Sequence, residues 1–128
     1  MTDARCTPIL SAPSATACSM DLSAYQSASR QFASYPAIGF NAIYPTLGLC
    51  GESGEVAEKV KKVIRDNDGR FSDDLVDAIA LELGDVLWYV AQVASELKLD
   101  LSRVAQRNID KLTFRQQRGT LQGSGDNR

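Results

Sequence analysis

Hydrophobic residues recur at helical intervals along most of the chain after position 20. In four segments apolar side chains return every three or four residues, which is the spacing of one face of an α-helix. No segment shows a competing alternation of apolar and polar residues, the pattern of a half-buried strand, and no internal repeat is visible. The sequence therefore predicts an all-α fold, an antiparallel helical bundle of about four helices.

Capping residues and turns set the expected limits of these helices. Asp21, Ser72 and Asp100 (or Ser102) are suitable N-caps, and the turn Asn67-Asp68-Gly69 separates the second helix from the third. The four helices are expected at about 22–34, 45–66, 73–97 and 101–119. We expect residues 1–20 to form a flexible leader, 21–119 the helical domain and 120–128 a Gly-rich tail.

The second and third helices carry the same arrangement of side chains. Each has a pair of carboxylates three residues apart, directly beside the apolar stripe that faces the core. Antiparallel packing of the two stripes would bring four carboxylates toward one cleft. These residues are Glu52, Glu55, Glu82 and Asp85.

Composition narrows the chemistry that such a cleft can perform. The chain has no histidine, so histidine bases, Ser-His-Asp triads and His-ligated zinc are excluded. Its net charge of −2 argues against binding to nucleic acid, and no run of apolar residues approaches the length of a membrane span. The three widely spaced cysteines form no disulfide framework, which fits a cytoplasmic protein.

Oxygen ligands without histidine or cysteine favour a hard cation, and Mg²⁺ binds through a few carboxylates while keeping positions for substrate phosphate. Acidic residues at this spacing also occur on ordinary solvated helix faces, paired with lysines. Spacing alone leaves both interpretations open.

Three motifs stand out along the chain: Gly51-Glu-Ser-Gly-Glu-Val-Ala-Glu58, Glu82-Leu-Gly-Asp85 and Asn108-Ile-Asp-Lys111. Together they resemble the MazG-like family of all-α nucleoside triphosphate pyrophosphohydrolases. The resemblance implies that the four acidic side chains hold Mg²⁺, with Mn²⁺ as a substitute, and that a nucleoside triphosphate is hydrolysed to the monophosphate and pyrophosphate. Gly51 replaces the first glutamate of the family's EExxE pattern, so the number of metal ions stays open, as does whether Glu52 or Glu55 is the catalytic base.

Substrate-binding residues are expected on three helices. The resemblance assigns Lys111, with Asn108, to the phosphates; Arg115 and Arg118 share their face of the helix and either join them or stabilise the helix C-terminus. Lys62 faces the predicted cleft, and Lys59 either does the same or pairs with Glu55. Tyr89, one turn beyond Asp85, either stacks on a base or sugar or packs in the core.

The leading hypothesis is a cytoplasmic enzyme that clears non-standard or surplus (d)NTPs. Trp88 points away from the apolar stripe and would be exposed in a monomer. An oligomer interface or a nucleobase pocket would cover it, and we expect the interface, in a homodimer or homotetramer. The alternatives are dUTPase-like or phosphoribosyl-ATP pyrophosphohydrolase-like enzymes of the same superfamily, and a helical interaction module without catalysis.

Overall fold

The structure, a computed structural model, describes residues 20–122. That part of the chain contains four α-helices and no strand, which confirms the predicted all-α class. The helices are α1 (Leu22–Arg30), α2 (Ile43–Asp66), α3 (Asp73–Glu96) and α4 (Leu101–Gln117). The predicted leader lies almost wholly outside the described residues, and most of the predicted tail does as well.

α2 and α3 form a long antiparallel hairpin, and the turn between them has the predicted chemistry. Asp68 and Gly69 both adopt positive φ angles, of 52° and 74°. Glycine and aspartate tolerate this conformation better than most residues. The turn returns α3 along α2, so that the N-terminal half of one helix lies beside the C-terminal half of the other.

The core lies where α1 crosses the C-terminal half of α3 and the start of α4. Ala91, Ala94 and Leu101 are buried there, and Leu22 and Tyr25 of α1 pack against them. Small alanines on α3 allow α1 to approach closely. This cluster fixes α1, α3 and α4 relative to one another.

Two expectations about α1 need correction. The helix ends at Arg30 instead of Ser34, because residues 31–33 bond to carbonyls three positions back and tighten the last turn. Trp88, expected to be exposed in a monomer, is half-buried against α1, and its indole N–H donates to the carbonyl of Ser29 at 3.2 Å. The Trp88 side chain therefore gives no argument for an oligomer.

The other limits fall within a few residues of those expected. α2 begins two residues before Pro45, since a proline in the first turn forfeits no helical hydrogen bond. Asp21 and Asp100 cap α1 and α4 by accepting from backbone N–H groups at 2.7 and 2.8 Å.

α3 is, within the described residues, long and apolar enough to cross a membrane by length and composition alone. A core helix passes the same test, so this is weak evidence. The helix also carries Glu82 and Asp85, and a carboxylate in the hydrocarbon centre costs about 2.5–3.5 kcal/mol on insertion scales.

Candidate functional site

Three of the four predicted carboxylates converge between α2 and α3. Glu52, Glu82 and Asp85 each offer an oxygen within 4.8 Å of the others. The antiparallel register of the hairpin causes this convergence, because it sets the first turns of α2 opposite the middle of α3. We call these three residues the carboxylate triad.

Negative charge is concentrated at the triad. The pKa of Glu52 is raised by partial burial and then by the negative charges of Glu55, Asp85 and Glu82. At an effective dielectric of about 20, two unit charges about 5 Å apart repel by about 3 kcal/mol before further screening. Such a cluster is stabilised by a positive charge placed among its oxygens.

Mg²⁺ fits the donor set of the triad. The donors are all carboxylate oxygens, and opposite ligands of an octahedral Mg²⁺ lie about 4.2 Å apart, given bonds of about 2.1 Å. Any three such ligands include adjacent pairs, which lie about 3.0 Å apart. The triad oxygens lie within 4.8 Å of one another, so side-chain rotations would bring them closer around the ion. Glu52, Glu82 and Asp85 would hold the ion.

Glu55 lies beside the triad without belonging to it. It contributes the largest of the charge effects on Glu52, and its side chain is exposed. The structure thus separates the two glutamates of α2, which the sequence treated as equivalent ligands.

Lys59, which the sequence predicted either to face the cleft or to pair with Glu55, contacts a carboxylate of α3. Its ammonium lies 3.0 Å from a carboxylate oxygen of Glu82. Lys62, also expected at the cleft, pairs with Glu58 at 3.5 Å, and its substrate-binding role remains a prediction. The signal for Lys59 was its position seven residues after Glu52, which returns it to the same helix face.

Tyr89 packs against the backbone of α2 at the edge of the triad. A Cβ added at Gly48 would overlap the Tyr89 ring. The pKa of Tyr89 is raised by burial and then by the charges of Tyr44, Glu52 and Asp85. The close approach of ring and backbone explains why a glycine stands inside a helix here.

Gly48→Ala is expected to destabilise the protein by about 1–3 kcal/mol, because the new methyl group displaces a packed ring. Gly54→Ala is the matched control: a Cβ there meets nothing within 4 Å, so we expect a gain of up to about 1 kcal/mol from helix propensity. Urea unfolding of the two variants checks this. Equal midpoints would contradict the contact with Tyr89.

The predicted residues Asn108, Lys111, Arg115 and Arg118 lie on α4 or directly after it. Asn108 and Lys111 line a surface cavity of about 370 Å³ on α4. Arg115 is buried, and the guanidinium of Arg118 stands 5.3 Å from the ring centre of Phe114. α4 packs chiefly on α1. The substrate-binding roles of these residues remain predictions.

Residues 44–120 match the family described as the MazG nucleotide pyrophosphohydrolase domain. The chain belongs to the MazG family. The match spans more than half of the chain and includes the carboxylate triad, Glu55 and the predicted residues of α4.

A relative in sequence is the "Gene 37 protein" of Mycobacterium phage L5, 49% identical over 114 residues, which covers 85% of this chain and all of the phage protein. Its name says nothing about activity. No solved structure matches this chain significantly.

Proposed function

We propose that this MazG protein is a Mg²⁺-dependent pyrophosphohydrolase that converts a (d)NTP to the (d)NMP and pyrophosphate. The observation that carries the proposal is the convergence of Glu52, Glu82 and Asp85 in a chain of this family. Bound Mg²⁺ would neutralise the negative charge of the triphosphate at the phosphoanhydride bond that is hydrolysed. Mn²⁺ has similar ligand preferences and is expected to substitute.

Within this proposal the two glutamates of α2 have different roles. Glu52 holds the ion with α3, whereas Glu55, exposed beside the triad, accepts the proton of the attacking water. Lys59 neutralises Glu82 when no metal is bound and turns to a phosphate oxygen when substrate arrives. No covalent intermediate is required, because positioning and charge stabilisation suffice for phosphoryl chemistry.

A panel of triphosphates tests the proposal. The standard dNTPs and NTPs, dUTP, an oxidised dGTP and phosphoribosyl-ATP are incubated with Mg²⁺, with Mn²⁺ or with a chelator, and products are separated by ion exchange. We expect monophosphate and pyrophosphate in equal amounts from a subset of substrates, and none with the chelator. Release of orthophosphate, or no hydrolysis of any triphosphate, would reject the proposal and favour a non-catalytic helical module.

We also propose that the protein acts as a homodimer or homotetramer. Large apolar side chains on α2, α3 and α4 are exposed, among them Leu47, Leu81 and Ile109. Charge is also segregated: residues 43–96 carry eleven acidic and five basic side chains, whereas residues 97–122 carry six basic and two acidic. A second copy would cover the apolar faces and bring the cations of its α4 toward the triad.

Sedimentation equilibrium checks the assembly, and the same measurement on Leu81→Glu checks the surface. We expect a dimer or tetramer for the parent protein and dissociation for the variant. A monomeric parent protein would contradict the assembly.

The biological role that follows from these proposals is removal of non-standard or surplus nucleotides in the cytoplasm.

A further inference from the structure

A buried carboxylate lies at the opposite end of α3 from the turn, away from the triad. Glu96 is the last residue of α3, and its side chain has no exposed surface. Its oxygens accept four hydrogen bonds: from Arg30 at 2.6 Å, from the hydroxyl of Tyr35 at 2.6 Å, and from the backbone N–H groups of Gly39 and Asn41 at 3.0 Å. A buried charge satisfied in this way holds its donors in one arrangement.

Three of these donors belong to the segment between α1 and α2, residues 31–42, which we call the connector. The connector has no regular structure of its own beyond turns, so Glu96 supplies much of its fixed position. Glu96 thereby links the end of α3 to connector residues that lie 55 to 61 positions earlier in the sequence.

Two contacts carry this fixed position into the first turn of α2. The ring of Tyr35 stacks on that of Tyr44, with centres 5.2 Å apart and planes 16° from parallel. The side-chain oxygen of Asn41 accepts from the backbone N–H of Tyr44 at 3.2 Å. Tyr35 and Asn41, the two residues that contact Tyr44 here, are therefore both hydrogen-bonded to Glu96.

Tyr44 stands next to the candidate active site. It lies one helical turn before Gly48, where the ring of Tyr89 packs against α2, and two turns before Glu52 of the triad. The Tyr44 side chain is nearly half exposed, although Tyr35 covers part of it. An exposed aromatic surface backed by a second ring is a suitable platform for a planar base.

We propose that Tyr44 stacks on the nucleobase of a nucleoside triphosphate whose phosphates lie at the triad, and that Glu96 is a positioning residue that holds Tyr44 for this contact through Tyr35 and Asn41. The inference rests on the proposed function for the identity of the ligand. Tyr44 determines affinity for the base, and Glu96 touches neither substrate nor metal.

Variants of Tyr44 test the stacking contact. Tyr44→Ala is expected to raise KM for the preferred triphosphate about tenfold with kcat changed less than twofold, since a stacked base is worth about 5- to 150-fold in affinity. Tyr44→Phe keeps the ring and should stay within twofold of the parent protein. Inorganic tripolyphosphate, which has no base, should inhibit all three proteins with the same Ki.

A double-mutant cycle tests the positioning role. Glu96→Gln is expected to raise KM by a similar factor in the parent background and to have no further effect on KM in the Tyr44→Ala background. Tyr35→Phe, which removes one bond to Glu96 and keeps the stacked ring, is the milder second variant and should raise KM two- to fivefold. Full additivity of Glu96→Gln with Tyr44→Ala, or a change confined to kcat, would reject the positioning role.

A binding measurement separates this inference from the proposed function. Trp88 is the chain's one tryptophan and lies 4.9 Å from Tyr89, centre to centre, so its fluorescence reports both folding and ligand. The α,β-methylene analogues of dATP and dCTP are titrated with Mg²⁺. Weaker binding to Tyr44→Ala supports stacking even if no triphosphate is cleaved; equal binding to the parent protein and Tyr44→Ala overturns it even if cleavage is observed.

Discussion

Asp85→Asn is expected to reduce pyrophosphate release by about 10²- to 10⁴-fold, because a lost metal ligand forfeits several kcal/mol of charge stabilisation and each 1.36 kcal/mol is tenfold in rate. Glu82→Gln should act in the same direction. Without metal, Asp85→Asn should be as stable as the parent protein or up to about 1 kcal/mol more stable, because it removes one of three repelling charges at a partly solvated site.

Thermal unfolding with and without Mg²⁺ completes the test. An ion at 100 times its Kd stabilises the folded parent by about 2.7 kcal/mol, and this shift should disappear in Asp85→Asn. Asp77→Asn is the matched control, since it removes an exposed carboxylate from the same helix outside the triad. A Mg²⁺ shift preserved in Asp85→Asn, or lost equally in Asp77→Asn, would contradict a metal site at the triad.

The features that could be predicted from sequence are those coded within one helix or one turn. Asp21 and Asp100 cap helices by bonding to N–H groups three residues later, and Asn67-Asp68-Gly69 turns the chain locally. The carboxylate pairs follow from the helical period. The triad needed one further step, the antiparallel pairing of α2 with α3, which a short turn makes the natural choice.

Long-range contacts between polar side chains could not be predicted in this way. Lys59 pairs with Glu82 because of the exact register of the hairpin, which the periodicity leaves uncertain by a turn. Trp88 is covered because α1 folds back across α3. The residues next to Trp88 in the sequence do not indicate this contact. Glu96 stands at the end of α3, and its four donors come from residues 55 to 66 positions away, so no pattern close to it in sequence indicates these bonds.

The second large expected effect is a loss of folding stability in acid, when Glu96 becomes protonated. Its pKa is lowered from 4.5 to about 2; burial opposes this change, and the bonds from Tyr35, Gly39, Arg30 and Asn41 outweigh it. A lowered pKa in the folded state means that the contribution is complete above about pH 4.5 and is lost as pH falls toward 2. The shift corresponds to about 3 kcal/mol of folding free energy at neutral pH.

Glu96→Gln should therefore lower the free energy of unfolding at pH 7 by about 2–4 kcal/mol, since it leaves Arg30 without its carboxylate and weakens the hold on the connector. The difference from the parent protein should shrink by about 2 kcal/mol between pH 7 and pH 3, because only the parent loses the carboxylate's contribution on protonation. Urea unfolding at pH 7, 4.5 and 3, followed by Trp88 fluorescence, measures this.

Asp77→Asn alters net charge equally and should differ little from the parent at all three values. A difference for Glu96→Gln that stays constant with pH would mean that Glu96 stabilises the fold by packing alone, and that its charge does not hold the connector.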